Sequence, residues 1–173
     1  RGCRGSALRL VERLEPELLD TLWPVYLEMA AAERAPARLA RMLARHSERA
    51  GAIEALNQLA GVNQRRATRV AAFKVLGQAS SPAARALARE CLEQADYHGA
   101  DDLLQAAGPQ PELREALLAA VERLGPRNSC VGSMARHLHA AGHPTLPEVV
   151  AEASRLAKRD EQYHSLGDSM RER

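Results

Sequence analysis

Residues 106–125, AAGPQPELREALLAAVERLG, hold the pattern that decides the fold. From Leu113 through Leu117 onward, apolar residues recur every three or four positions, which is the spacing of one face of an α-helix. Gly108, followed by a proline, stands at the end of one such stretch, and Gly125 stands at the end of the next. Glycine is favoured there because it readily takes the left-handed conformation beyond the last helical turn. This segment therefore predicts two helices joined by a short turn.

The same alternation of apolar helical stretch and terminating glycine continues along the chain. The glycines that end such stretches are Gly61, Gly77, Gly108, Gly125 and Gly142. Their spacing predicts a helix about every 16 residues and a helix pair about every 33, close to the period of helical repeat proteins. We expect successive hairpins of short antiparallel helices, stacked as a solenoid-like array or packed as an irregular bundle. The predicted helices are 6–14, 16–34, 37–47, 49–60, 64–76, 82–95, 100–107, 111–124, 129–141 and 147–163.

The composition agrees with an all-α protein. Of the 173 residues, 33 are Ala, 24 are Leu and 22 are Arg, whereas Val, Ile and Thr together number 13. The abundant residues are strong helix formers and the scarce ones favour strands. No uninterrupted apolar run approaches the roughly 18 residues of a membrane span, so no membrane partner is expected. We predict one helical domain over 1–157, with 158–173 forming the end of the last helix and a charged, frayed tail.

The cysteines indicate the compartment. Cys3, Cys91 and Cys130 are an odd number without CxxC spacing, which fits a reducing environment better than a disulfide framework. The first ten residues are basic and lack the apolar stretch of a signal peptide. We therefore expect a cytoplasmic protein.

Charge is strongly segregated along the chain, although the net charge is only +2. Residues 34–76 contain nine basic and two acidic side chains, for a net charge of +7, whereas residues 77–122 carry a net charge of −5. The basic residues of the first segment are Arg34, Arg38, Arg41, Arg45, Arg49, Arg65, Arg66, Arg69 and Lys74.

Five arginines recur at helical spacing, and they are Arg34, Arg38, Arg41, Arg45 and Arg49. A continuous helix would place them in one stripe, where like charges repel each other. Such a stripe is either a solvated face, a surface paired with the acidic middle of the same chain, or a docking surface for an acidic protein. The preferred hypothesis is a non-catalytic adaptor, scaffold or regulatory domain that uses Arg38, Arg41, Arg45 and Arg49 to hold an acidic partner.

A second hypothesis is a nucleic-acid-binding domain. Arg65, Arg66 and Arg69, near the start of a predicted helix, would extend the basic patch, and contact with phosphates needs little more than such a patch. The nearly neutral total charge and the scarcity of aromatic residues for base stacking argue against it. Phe73, the single aromatic residue of 34–76, lies on the predicted core face.

Trp23 and Tyr26 are two of the five aromatic residues of the chain. In a protein so short of large side chains, such a cluster usually belongs to the core. If exposed, the two rings would be the best anchors for a partner, since aromatic residues dominate interface energetics.

The third hypothesis is a metal-binding or enzymatic protein built on His98, His137 and His139. His139 and His143 have the four-residue spacing of helical zinc ligands, but Gly142 ends the predicted helix between them. Residues 96–102 combine a histidine with three aspartates, although their composition is also that of a loop with helix caps. The chain has no GxSxG, P-loop, GxGxxG or HExxH motif. We therefore expect no catalytic activity, no metal and no cofactor.

Overall fold

The computed structural model describes residues 16–32, 35–124 and 128–143, and every regular element within them is helical. This confirms the all-α prediction. The α-helices are α1 (Pro16–Ala31), α2 (Ala37–Arg45), α3 (Ala52–Leu59), α4 (Arg66–Val75), α5 (Pro82–Glu93), α6 (Tyr97–Ala107), α7 (Arg114–Leu124) and α8 (Val131–Ala140), and a 3₁₀ turn, Pro111–Leu113, precedes α7.

The chain divides into two compact units, with the boundary between Leu87 and Ala88 inside α5. In the first unit, α1 packs on α3, and α2 packs on both α3 and α4. In the second unit, α8 packs on α6 and α7. The predictions of hairpin stacking and of one domain over 1–157 stay predictions.

Several predicted helix bounds need correction. The helix predicted over 16–34 ends at Ala31 and continues through Pro24. The helix predicted over 100–107 begins at Tyr97, because the Asp96 carboxylate accepts a hydrogen bond from the Gly99 backbone and caps that end. The helices predicted over 6–14 and 147–163, and the tail 158–173, lie outside the described residues.

The core of the first unit follows from the amphipathic pattern of its helices. α2 buries one apolar face and turns its arginines away from it. The buried residues of this core are Trp23, Tyr26, Ala30, Ala35, Leu39, Ala40, Met42, Leu43, Ala52, Ala55, Leu56, Leu59 and Ala72. Many are alanines, which allow short helices to approach each other closely.

Two glycines make the helix junctions feasible. Gly51, at the start of α3, has a φ of 80°, and a Cβ there would lie 3.1 Å from a methyl carbon of Leu27. Gly108 ends α6 with a φ of 75°, a conformation that other residues rarely adopt. Gly108 therefore confirms the helix end predicted from the sequence.

None of the helices within the described ranges has the length and apolar character needed to cross a bilayer.

Candidate functional site

The α2 basic face consists of Arg38, Arg41 and Arg45. These residues lie three and four positions apart on one side of α2, opposite the buried Leu39 and Leu43. The side chains of Arg41 and Arg45 are exposed, and that of Arg38 is half-buried. α2 itself contains no acidic residue. The face is therefore a short positive surface on a helix whose other side is fixed in the core.

Two buried polar residues hold α2 in place. The Gln64 side chain accepts a hydrogen bond from the backbone N–H of Ala35 at 2.9 Å and donates to the carbonyls of Ala30 and Ala32 at 3.3 and 2.9 Å. The Thr68 hydroxyl donates to the Ala35 carbonyl at 2.6 Å. These bonds fasten the connection between α1 and α2 to the start of α4, so they orient the α2 basic face.

Arg49 does not continue that face. α2 ends at Arg45, because His46 leaves the helical conformation with φ and ψ of −124° and 38°. The Arg49 guanidinium instead lies 2.5 Å from the Asp20 carboxylate and 5.2 Å from the centre of the Trp23 ring. The predicted five-residue stripe therefore has three described members on α2, and Arg34 lies outside the described residues.

The second predicted group of arginines is partly used by the fold. Arg65, at the start of α4, is exposed, whereas Arg66 and Arg69 are half-buried. Arg69 lies on the side of α4 that also carries the buried Thr68 and Phe73. Of this group, Arg65 is the residue most accessible to a partner.

The aromatic pair of α1 lies in the core. Trp23 is 8% exposed and Tyr26 is 4% exposed. The Trp23 indole donates a hydrogen bond to the Ala50 carbonyl at 3.0 Å, and burial raises the pKa of the Tyr26 hydroxyl. Both rings therefore stabilise the first unit, and the candidate surface excludes them.

A second feature, the α6–α8 polar cluster, lies in the second unit and consists of His98, Asp101, Cys130, Ser133 and His137. Asp101 Oδ1 accepts hydrogen bonds from the Ser133 hydroxyl and from His137 Nε2, the latter at 2.8 Å. Asp101 Oδ2 accepts a third from Gln105 at 2.9 Å. The carboxylate thus links α6 to α8.

The electrostatics of Asp101 follow from these partners. Burial acts to raise the pKa of the Asp101 carboxyl, but the hydrogen bonds from Ser133 and His137, the electrostatic interaction with His137 and the hydrogen bond from Gln105 outweigh that effect. The pKa of Asp101 therefore lies below its ordinary value. The arrangement differs from a serine hydrolase triad, because Ser133 faces the carboxylate and not the imidazole. It is suited to holding two helices together.

At the edge of this cluster, the Cys130 sulfur lies 3.9 Å from His98 Nε2. Cys130 is half-buried at the start of α8, and His98 is exposed in the first turn of α6. This contact brings a thiol and an imidazole together across the two helices.

The other histidines considered for a metal-binding or enzymatic site, His139 and His143, do not join this cluster. His139 is exposed on α8, and His143 lies beyond its end. Within 16–32, 35–124 and 128–143, no three His, Cys, Asp or Glu side chains are placed to hold a metal ion.

Sequence reasoning missed Gln64, Thr68 and Ser133 as structural residues, and it also missed the pairing of Asp101 with His137. Their hydrogen-bond partners lie about 30 residues away in sequence. The local spacing of residues therefore does not indicate these bonds. His98, Asp101, Cys130 and His137 did stand out by residue type, in two separate segments that the fold brings together.

Comparison with models of protein families, with curated proteins and with solved structures finds no match to this chain. Its function must therefore be inferred from its own geometry.

Proposed function

We propose that this chain is a non-catalytic interaction domain that binds an acidic segment of another protein through the α2 basic face. The observation that carries the proposal is the exposure of Arg41 and Arg45 on one side of a helix whose opposite side is buried. Because the helix backbone is already fixed, binding does not have to order it, and the entropic cost falls on the exposed arginine side chains. Planar guanidinium groups at this spacing suit carboxylates presented by a helix or an extended peptide.

The charge around α2 supports the same assignment. Residues 35–76 contain eight basic side chains and only Glu48 and Glu54 as acidic ones. A surface with such an excess attracts acidic partners over a distance of roughly 10 Å at moderate salt. We place this adaptor, scaffold or regulatory domain in the cytoplasm, because an odd number of cysteines without CxxC spacing fits a reducing compartment.

A protein partner is favoured over nucleic acid. Trp23, Tyr26 and Phe73 are all buried, so the described part of the first unit offers no exposed aromatic ring on which bases could stack. Arg49 is engaged by Asp20, and Arg66 and Arg69 are half-buried, so three of the basic residues expected to extend the patch are less accessible to a phosphate backbone. A short row of arginines matches a peptide better than a nucleic-acid backbone.

The test is the double charge reversal Arg41→Glu with Arg45→Glu, measured by fluorescence anisotropy with a labelled oligoglutamate peptide. We expect the reversal to weaken binding by about tenfold or more, because attraction becomes repulsion. The matched control is Arg114→Glu with Arg136→Glu, which makes the same change in formal charge at exposed positions of the second unit.

Equal weakening by both variants would show that net charge, and not the α2 basic face, determines binding, and would refute the proposal. Tighter binding of a DNA duplex than of the peptide, with a steep loss on adding salt, would favour the nucleic-acid hypothesis instead.

A further inference from the structure

The Cys130–His98 contact in the second unit has no part in the proposed binding function. Cys130 directly precedes α8, and its backbone N–H donates to the Asn128 side chain at 2.9 Å. The Cys130 sulfur lies 3.9 Å from His98 Nε2. A thiol held beside an imidazole, and partly open to solvent, is the arrangement in which a cysteine becomes a nucleophile.

The surrounding residues leave His98 available for this role. The other imidazole of the cluster, His137, bonds to Asp101, and the Ser133 hydroxyl bonds to the same carboxylate. His98 is exposed, so it can exchange its proton with solvent after each transfer. Cys91, by contrast, is fully buried at 0% exposure and provides an unreactive reference within the same unit.

We propose that Cys130 is a redox modification site that undergoes thiol–disulfide exchange with small soluble disulfides, with His98 as the proton acceptor. The Cys130 thiol gives its proton to His98 Nε2, and the sulfur attacks one sulfur of the external disulfide. A new S–S bond forms as the external S–S bond breaks, and the second sulfur leaves as a thiolate. Cys130 is oxidised to a mixed disulfide, and the external disulfide is reduced.

The experiment uses the full chain with Cys3→Ser, so that Cys91 and Cys130 are the cysteines present. The probe is dithiobis(nitrobenzoate), an aromatic disulfide that releases a coloured thiolate. We expect one rapid equivalent of thiolate per chain, abolished by Cys130→Ser. His98→Gln and His98→Ala should each slow this phase by about tenfold near neutral pH. His139→Gln, which removes an exposed histidine of α8, should leave the rate unchanged.

The two His98 variants distinguish a proton-accepting role of His98 from a steric one. His98→Ala opens the approach to the sulfur, so a purely steric role for His98 predicts a faster reaction. In denaturant, the Cys130 thiol should react at the same rate in the parent chain and in both His98 variants. A folded-state rate unchanged or increased in either His98 variant would overturn the proposal, as would a Cys130 that reacts no faster than Cys91. None of these outcomes depends on the α2 basic face.

Discussion

At the scale of single residues, Asp101 makes the clearest electrostatic prediction. Its carboxylate accepts bonds from two residues of α8, Ser133 and His137, and its pKa lies below the ordinary value. A carboxyl group with a lowered folded-state pKa binds fewer protons in the folded state than in the unfolded state. It therefore stabilises the fold above the unfolded-state pKa, and this contribution is lost as pH falls through the lowered folded-state value.

We expect Asp101→Asn to lower the free energy of unfolding by about 1–3 kcal/mol near neutral pH, because it removes a charge-assisted link between helices. The difference from the wild type should shrink as pH falls below about 4, because the Asp101 carboxyl then binds a proton in the unfolded state before it does so in the folded state. Urea denaturation across this pH range provides the measurement.

The control for this prediction is Glu122→Gln, which removes an exposed carboxylate of α7. A stability difference between wild type and Asp101→Asn that stayed constant down to strongly acidic pH would contradict the assigned role of the Asp101 charge.

At the scale of helices, the end of α5 departs from the usual pattern. Ala95 has a φ of 59°, in the left-handed region where glycine is the favoured residue. The Asp96 backbone N–H donates to the Cys91 carbonyl at 2.8 Å, the bond that closes such a helix end. The sequence offers no glycine here, yet the helix predicted over 82–95 ends within two residues of the observed end at Glu93.

Ala95→Gly should raise the free energy of unfolding by about 0.5–1 kcal/mol, because it relieves the strained conformation. The matched control is Ala86→Gly, the same substitution at an exposed position inside α5, which should lower stability by about 1 kcal/mol. Chemical denaturation of the two variants measures both effects. A loss of stability in Ala95→Gly equal to that in Ala86→Gly would show that residue 95 is not held in the left-handed region.

The connection between α1 and α2 depends on Gln64, whose side chain bonds to the Ala35 N–H and to the carbonyls of Ala30 and Ala32. Gln64→Ala leaves those groups unsatisfied, so we expect a loss of about 2–3 kcal/mol in unfolding free energy. Gln58→Ala, at an exposed position of α3, should change it by less than about 0.5 kcal/mol. Equal effects of the two substitutions in urea denaturation would mean that the Gln64 side chain does not fasten this connection.

Helix positions could be predicted from the sequence because they depend on local apolar spacing and on end residues such as Gly108. Polar bonds such as Gln64 with Ala35, or Asp101 with His137, could not, because they join residues distant along the chain. That Arg41 and Arg45 lie together on one exposed side of α2 could also be predicted, because their spacing is helical. The predicted helices 37–47 and 49–60 already place a break before Arg49, but the pairing of Arg49 with Asp20 could not be predicted, since it is a tertiary contact.

At the scale of the whole molecule, the sequence separates a positive segment from a negative one, and the positive segment falls in the first unit. Net charge alone would attract acidic molecules to many parts of that segment. The proposed function is more specific, because it assigns binding to one face of one helix. The most direct measurement is therefore one that locates the bound peptide residue by residue.

That measurement is NMR titration of the isotopically labelled chain with an unlabelled oligoglutamate peptide. We predict saturable shifts centred on the guanidinium and backbone signals of Arg38, Arg41 and Arg45, and their loss in the double charge reversal at Arg41 and Arg45. Shifts spread evenly over basic residues of both units, or centred away from α2, would contradict the central claim.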